Sequence, residues 1–254
     1  MPRNLLCAAI ISAALGLSPA AASEPDNLGW AELVDAEAQV FEDPYRDIAP
    51  DQLSTLVSLA RLQKQLQSDS MDDAVRPRIE ARIGQKRVEL EAAGIDADWL
   101  IAQRRVVAER RERAATAGNL AVDGQIVSLA GFAIPAPPEP DGTRVAYLVP
   151  ERGMCSHMPP PNPNQMIRVR LPDDWAPRYI HEPVRVTGRL DIAPSEQVML
   201  VVDGMVSMRA TFQMDVRHVE TVKDMRPLGG QARTNAWAEG ITKRFLAKNV
   251  KPNQ

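Results

Sequence analysis

Cysteine is nearly absent from this chain. Among 254 residues the cysteines number two, the histidines three, and aromatic residues make up 4%. Cys7 lies in a leader expected to be removed, so the mature chain keeps one thiol, Cys155, and cannot form an internal disulfide. Few aromatics, and a C-terminal half without interleaved Lys/Arg and aromatic residues, argue against a nucleic-acid partner. The formal net charge of −3 adds no electrostatic footprint for one. After residue 22 no run approaches the ~20 apolar residues a membrane span needs, so the mature chain is expected not to be membrane-embedded. A phosphate-cradling glycine loop, a dinucleotide fingerprint, His-Glu-x-x-His and Cys-x-x-Cys are all missing, which removes the commonest nucleotide, zinc-protease and dithiol chemistries.

What is present begins with a leader. Arg3 and the α-amine precede an apolar core from Leu5 to Leu17, broken only by Ser12 and Gly16, and Ala20-Ala21-Ala22 offers small residues for cleavage before Ser23. Residues 1–22 are therefore expected to be a signal peptide that delivers the protein to the periplasm.

Residues 23–118 read as helical. Leu53, Leu56, Leu59, Leu62 and Leu66 form a stripe at three- and four-residue spacing after Asp51. A second helix carries Ile79, Ile83 and Leu90 and tolerates Pro77 in its first turn. Gly94 suits a helix C-terminus, and Asp96 suits the N-cap of a third helix, with Ile95 and Leu100 at staple spacing. Arg104, Arg105, Arg110, Arg111 and Arg113 face Glu109 and Glu112 on that helix, a pattern read as a solvated, ion-paired face. A short helix is also expected around Trp30 to Val40.

From Leu120 the pattern alternates. Strand-like stretches run over 122–129, 132–134, 145–149, 166–171, 184–190, 198–202, 205–208 and 211–219, and Asp203-Gly204 is a hairpin signal. The expected class is α+β: an N-terminal helical bundle or hairpin, then a small antiparallel β-barrel of OB-like kind over 119–222. Residues 223–254 are expected to form a C-terminal helix, around Thr234 to Lys248, and a polar tail.

The chemically distinctive stretch is Gly153-Met154-Cys155-Ser156-His157-Met158-Pro159-Pro160-Pro161-Asn162-Pro163-Asn164-Gln165. On an extended strand Cys155 and His157, at i and i+2, would face one site. A thiolate and an imidazole suit zinc or copper, and His181 and His218 are the histidines left to complete a set. Eight of the ten methionines lie between Met154 and Met225. Thioethers beside a thiolate favour Cu(I), although methionine also serves as core filler. A Cys155–His157 dyad would instead make a nucleophile, for a hydrolase or transferase. In a structural alternative Cys155 is a small buried hydrophobe, and Asn164 and Gln165 satisfy free carbonyls. A further alternative makes Pro159 to Pro163 an exposed polyproline surface.

At this signature the chain resembles a bacterial family of exported proteins known as domain of unknown function 3299. The matching residues are Gly153-x-Cys155-x-His157-x-Pro159-Pro160-Pro161-x-Pro163-Asn164-Gln165. Supporting matches are Asp123-Gly124-Gln125-Ile126-Val127, Gly131-Phe132-x-Ile134-Pro135, Leu148-Val149-Pro150 and Pro183-Val184-x-Val186-Thr187-Gly188-x-Leu190. The resemblance implies a periplasmic protein that accompanies transporter components in settings of metal handling. The expectation is thus a non-enzymatic periplasmic accessory or binding protein serving a membrane transporter component, with Cys155, His157, His181 and His218 as candidate zinc or copper ligands. The alternative is an interaction module using the proline-rich loop.

Overall fold

The computed structural model describes residues 25–68 and 71–222. The expected leader and the expected C-terminal helix lie outside these residues. Among the described residues the chain forms three α-helices, α1 (Pro50–Leu66), α2 (Arg76–Ala92) and α3 (Ala97–Thr116), and six strands. The strands are β1 (Asp26–Asn27), β2 (Gln125–Ala136), β3 (Val145–Val149), β4 (Ile167–Arg170), β5 (Glu182–Val201) and β6 (Gly204–Thr221). Around Trp30 the expected helix is only a 3-10 turn, Trp30–Leu33.

Local chemistry accounts for the helix ends. Pro50 opens α1 at a position where its missing N–H is no loss. Past the end of α2, Gly94 takes φ 73°. Its N–H donates to the Glu91 carbonyl at 2.8 Å and that of Ile95 to the Leu90 carbonyl at 2.9 Å, a Schellman closure. Asp96 then caps α3 by accepting from the Trp99 N–H at 3.0 Å. Leu56, Leu59 and Leu62 of α1, Ile79, Ile83 and Leu90 of α2, and Ala97 and Leu100 of α3 share one apolar cluster, with Ile95 packed against it.

The sheet is mixed, which corrects the antiparallel expectation. β2 pairs antiparallel with β3 and β5, β3 with β4, and β5 with β6. β4 and β6 run parallel, as do β1 and β2. After β4 the chain crosses to lay β5 on β2, so β4's free edge is taken by the returning β6, which runs in the same direction. Strands β2 to β6 therefore pair around a closed circuit, and β1 adds to it at β2.

Several stretches that read as separate strands are continuous. β5 spans 20 residues and β6 spans 18. One bulge bridges the gap expected between 190 and 198, and another falls inside the expected strand 184–190. The register slips once between Thr187 and Gly188, and again between Ile192 and Ser195, around Pro194. The hairpin closes with Val201 opposite Gly204, so its two-residue turn is Val202-Asp203, one position before the expected pair.

Two apolar clusters lie on the two faces of the same strands. Val127, Leu129, Ala146, Leu148, Ile167 and Phe212 belong to one, with Trp30 and Leu33. The alternate residues Phe132, Ile134, Tyr147 and Val149 belong to the other, under Met199, Val201 and Met208 of the β5–β6 hairpin. Covering both faces explains why every residue of β3 is buried. Trp30 seals the first cluster, its indole N–H donating to the Ala130 carbonyl at 2.8 Å.

At the first bulge backbones meet closely. A Cβ on Gly188 would lie 2.3 Å from the Asp215 carbonyl oxygen, whereas one on Gly84 of α2 would meet nothing within 4 Å. Gly188→Ala is therefore expected to destabilise the protein by about 1–3 kcal/mol. Gly84→Ala is expected to stabilise it by roughly 0.5–1 kcal/mol. Chemical denaturation of the two variants beside wild type checks both signs.

Candidate functional site

The signature loop joins β3 to β4. It opens with a turn in which the Gly153 carbonyl accepts from the N–H groups of Ser156, His157 and Met158 at 3.2, 3.0 and 3.0 Å. Cys155 within it has φ 62°. The Cys155–His157 stretch is therefore not an extended strand, and the expectation that the two side chains face one site is corrected. The left-handed residue turns the chain so that Cys155 is 1% exposed while His157 faces solvent.

Cys155 packs in the second apolar cluster with Phe132, Tyr147, Met166, Met199 and Met208. Burial disfavours the thiolate and pushes the thiol up to about 12. Enclosure and this shift both disfavour the thiolate, the form that acts as nucleophile or metal ligand. His157 instead approaches the hairpin tip, its Nδ1 3.1 Å from Asp203 Oδ2. The Cys155–His157 dyad is thus not assembled.

His181 does come to this loop. Among the described residues it is the other non-glycine residue with positive φ, at 63°. Its backbone N–H donates to the Ala133 carbonyl at 2.8 Å, and its ring Nε2 lies 2.9 Å from the Met154 carbonyl. A carbonyl only accepts, so Nε2 carries the hydrogen in this contact. The next residue, Glu182, is fully buried, and its carboxylate accepts from the Arg178 backbone N–H at 2.7 Å and from the Arg178 guanidinium at 2.8 and 3.1 Å. His218 is exposed on β6, ten positions from Met208 of the Cys155 cluster, roughly 30 Å along the strand. The four candidate ligands therefore do not converge, and among the described residues no three His, Cys, Asp or Glu side chains are grouped to hold a metal ion.

The end of the signature faces the helices. Asn164 is buried, and its side-chain amide donates to the Ala114 and Ala117 carbonyls at 2.9 and 3.0 Å. Gln165 donates to the Trp30 carbonyl at 2.7 Å. Thr211 of β6 donates its hydroxyl to the Thr116 carbonyl at 2.8 Å. Asn164 and Thr211 thereby satisfy carbonyls that the last turn of α3 leaves free. The two amides do satisfy free carbonyls, but these belong to the helix end and the Trp30 turn, and not to the proline run. Between the two inward-facing parts, Pro159, Pro160 and Asn162 are exposed.

Ser156, whose hydroxyl is buried without a hydrogen-bond partner, and the Arg178–Glu182 pair were not among the sequence candidates. The charged face of α3 is less local than its spacing suggests. Arg111 pairs with Asp43 through two hydrogen bonds of 2.8 and 2.9 Å, and Glu112 pairs with Arg209 of β6.

This is a mixed α+β protein whose proline-rich loop buries a thiol at one end and ties helix to sheet at the other. The chain belongs to the family described as protein of unknown function (DUF3299), whose model matches residues 30–221. Among solved structures it is similar to a DUF3299 family protein from Pseudomonas aeruginosa PAO1, at 18% identity and a TM-score of 0.40, over 80% of this chain and 99% of that one. Among curated proteins no relative matches it.

Asn164→Leu removes one of two donors from each of the Ala114 and Ala117 carbonyls, which keep the Gln39 amide and the Asp35 N–H, and is expected to lower stability by about 1 kcal/mol in denaturant titration. The Cys155 thiol has an ordinary value of 9.0 and is held near 12 in the fold. Between those values the unfolded chain binds fewer protons, so this contribution is complete below pH 9 and is lost as pH rises toward 12. The stability difference between wild type and Cys155→Ala, measured at pH 7 and pH 10, is expected to shift against wild type by on the order of 1 kcal/mol.

Proposed function

We propose that the protein is an exported, non-enzymatic binding module that acts in the periplasm as an accessory to a transport system, and that its outward proline loop contacts the partner. The observation that carries this reading is the division of the signature. Cys155 is enclosed and protonated and Asn164 is spent on α3, which leaves Pro159 and Pro160 as its exposed part. Prolines fix φ, so such a surface loses little entropy on docking. The Arg3-led apolar leader supports export, and the transport setting is the one the family resemblance implies. In the same reading, the closed circuit of strands is a small barrel of OB-like kind and the three helices are a bundle.

Metal binding through Cys155 and His157, with zinc or copper, is the second reading. It is favoured by the His181 ring resting on the Met154 carbonyl, which brings a second imidazole to the cysteine loop. Loading would require the loop to open and the thiol to lose its proton.

The test uses protein purified from the periplasm without chelators. Under the first reading it is metal-free, and Cys155 resists a thiol reagent with or without chelator until the chain is denatured. Near one equivalent of zinc or copper, lost in Cys155→Ala, together with a thiol unmasked by chelator, would replace it with the second. A photo-crosslinking residue at position 160, introduced in the cell, is expected to yield a discrete adduct with a membrane transporter component. The same residue at position 88 on α2 should not. Equal yields would count against the loop.

A further inference from the structure

Beyond the closed circuit the β5–β6 hairpin continues as a two-stranded ribbon. β2 pairs with β5 only as far as Leu190, and β4 meets β6 from Phe212 to Asp215. From Ser195 to Ala210 the two strands pair with each other, and among the described residues their outer edges pair with nothing. The inner face, with Met199, Val201 and Met208, covers the Cys155 cluster. The outer face is apolar as well: Val198, Leu200, Val202 and Met205 are 59%, 72%, 59% and 66% exposed. Leu200 and Met205 are direct cross-strand partners, so their side chains lie on one face.

An unpaired edge beside exposed alternating apolar side chains is a template for an added strand, and proteins without a use for such an edge usually blunt it with lysine or cover it. Here it is the β5 edge that carries the apolar row, since β6 presents Ser207 and Arg209 beyond Met205.

Charge and size select the occupant. From Ile192 to Met208 the ribbon bears Glu196 and Asp203 and no lysine, arginine or histidine. Ser207 donates to Glu196 at 2.6 Å and leaves its charge in place, while His157 stands 3.1 Å from Asp203. Arg209, just beyond, is engaged by Glu112. A second copy laid antiparallel on this edge about Leu200 would set Asp203 opposite the other Gln197 and Glu196 opposite the other Gly204, so neither acid would meet a basic partner. The apolar face is also only on the order of a few hundred Å². A stable dimer needs about 800 Å² from each partner.

We propose that the β5 edge from Ser195 to Val201 takes up an extended segment of another protein as an added antiparallel strand, one that alternates apolar residues and carries Lys or Arg at both ends. Backbone hydrogen bonds supply the binding, Val198 and Leu200 receive the alternate side chains, and Glu196 and Asp203 select the basic ends. The inference goes beyond the proposed role of the proline loop and holds whether or not that loop has a partner.

The test measures fluorescence anisotropy of two labelled peptides, each an alternating valine–threonine segment, one flanked by lysines and one by glutamates, titrated with the mature protein. The lysine-flanked peptide is expected to bind at least about tenfold more tightly. Leu200→Asp should weaken it by a similar factor, with an unchanged denaturation midpoint because Leu200 is exposed. Glu196→Lys combined with Asp203→Lys should reverse the preference. Equal binding of both peptides, no binding at millimolar concentration, or indifference to Leu200→Asp would overturn the proposal. So would a concentration-dependent dimer abolished by Leu200→Asp, which would assign the edge to a second copy. Binding that appears only after residues 223–254 are removed would overturn it in favour of the chain's own tail.

Discussion

The C-terminal turn of α3 is where the two halves of the molecule are joined. A helix end presents carbonyls that need donors, and a helix end packed on a sheet cannot rely on water for all of them. Here the donors come from elsewhere in the chain: Asn164 from the signature loop, Thr211 from β6 and Gln39 from the N-terminal segment. Each bond alone is modest. Together they fix the position of the helix end, and through Asn164 they also fix the base of the proline run.

From that anchor the signature takes its form. With Asn164 and Gln165 held at one end, and Cys155 seated in the apolar cluster at the other, the intervening prolines are stretched over the surface. Two left-handed residues accommodate the turn, Cys155 and His181, joined through the Met154 carbonyl that His181 contacts. Such conformations cost of order 1–3 kcal/mol each and persist where the surroundings hold them in place. Burial of the cysteine and the bonds at its neighbours supply that restraint. The same enclosure shields the thiol from solvent-borne reagents.

Elements governed by local rules were legible in the sequence. The leucine stripe, Gly94, Asp96 and the Ile95–Leu100 staple located the helices, and alternation located the strands. Pairing was harder to read, because the parallel contact of β4 with β6 depends on where the chain crosses after β4, and no local pattern records that. The stretch around Pro194 read as a gap between strands, yet it is a bulge inside β5, and Gly188, read as mid-strand, sits at another. The candidate site failed to converge for a similar reason. The i, i+2 argument assumed an extended backbone, and a single left-handed cysteine was enough to send Cys155 inward and His157 outward. The Glu182–Arg178 pair left no local mark at all, since its carboxylate is closed off by a loop whose course only the fold defines.

Trp30 bonds to Ala130 across 100 positions of sequence, and β1 pairs with β2 over a similar span. A chain that emerges from its N-terminus therefore cannot secure Asp26 to Trp30 until β2 has followed. The three helices lie between and pack on one another through nearby contacts, so they can form in the interval. The order of assembly that follows has the helices as an early unit, with β1 and the Trp30 turn stitched down late. A segment that waits this long is the one a holding chaperone or a protease would meet first.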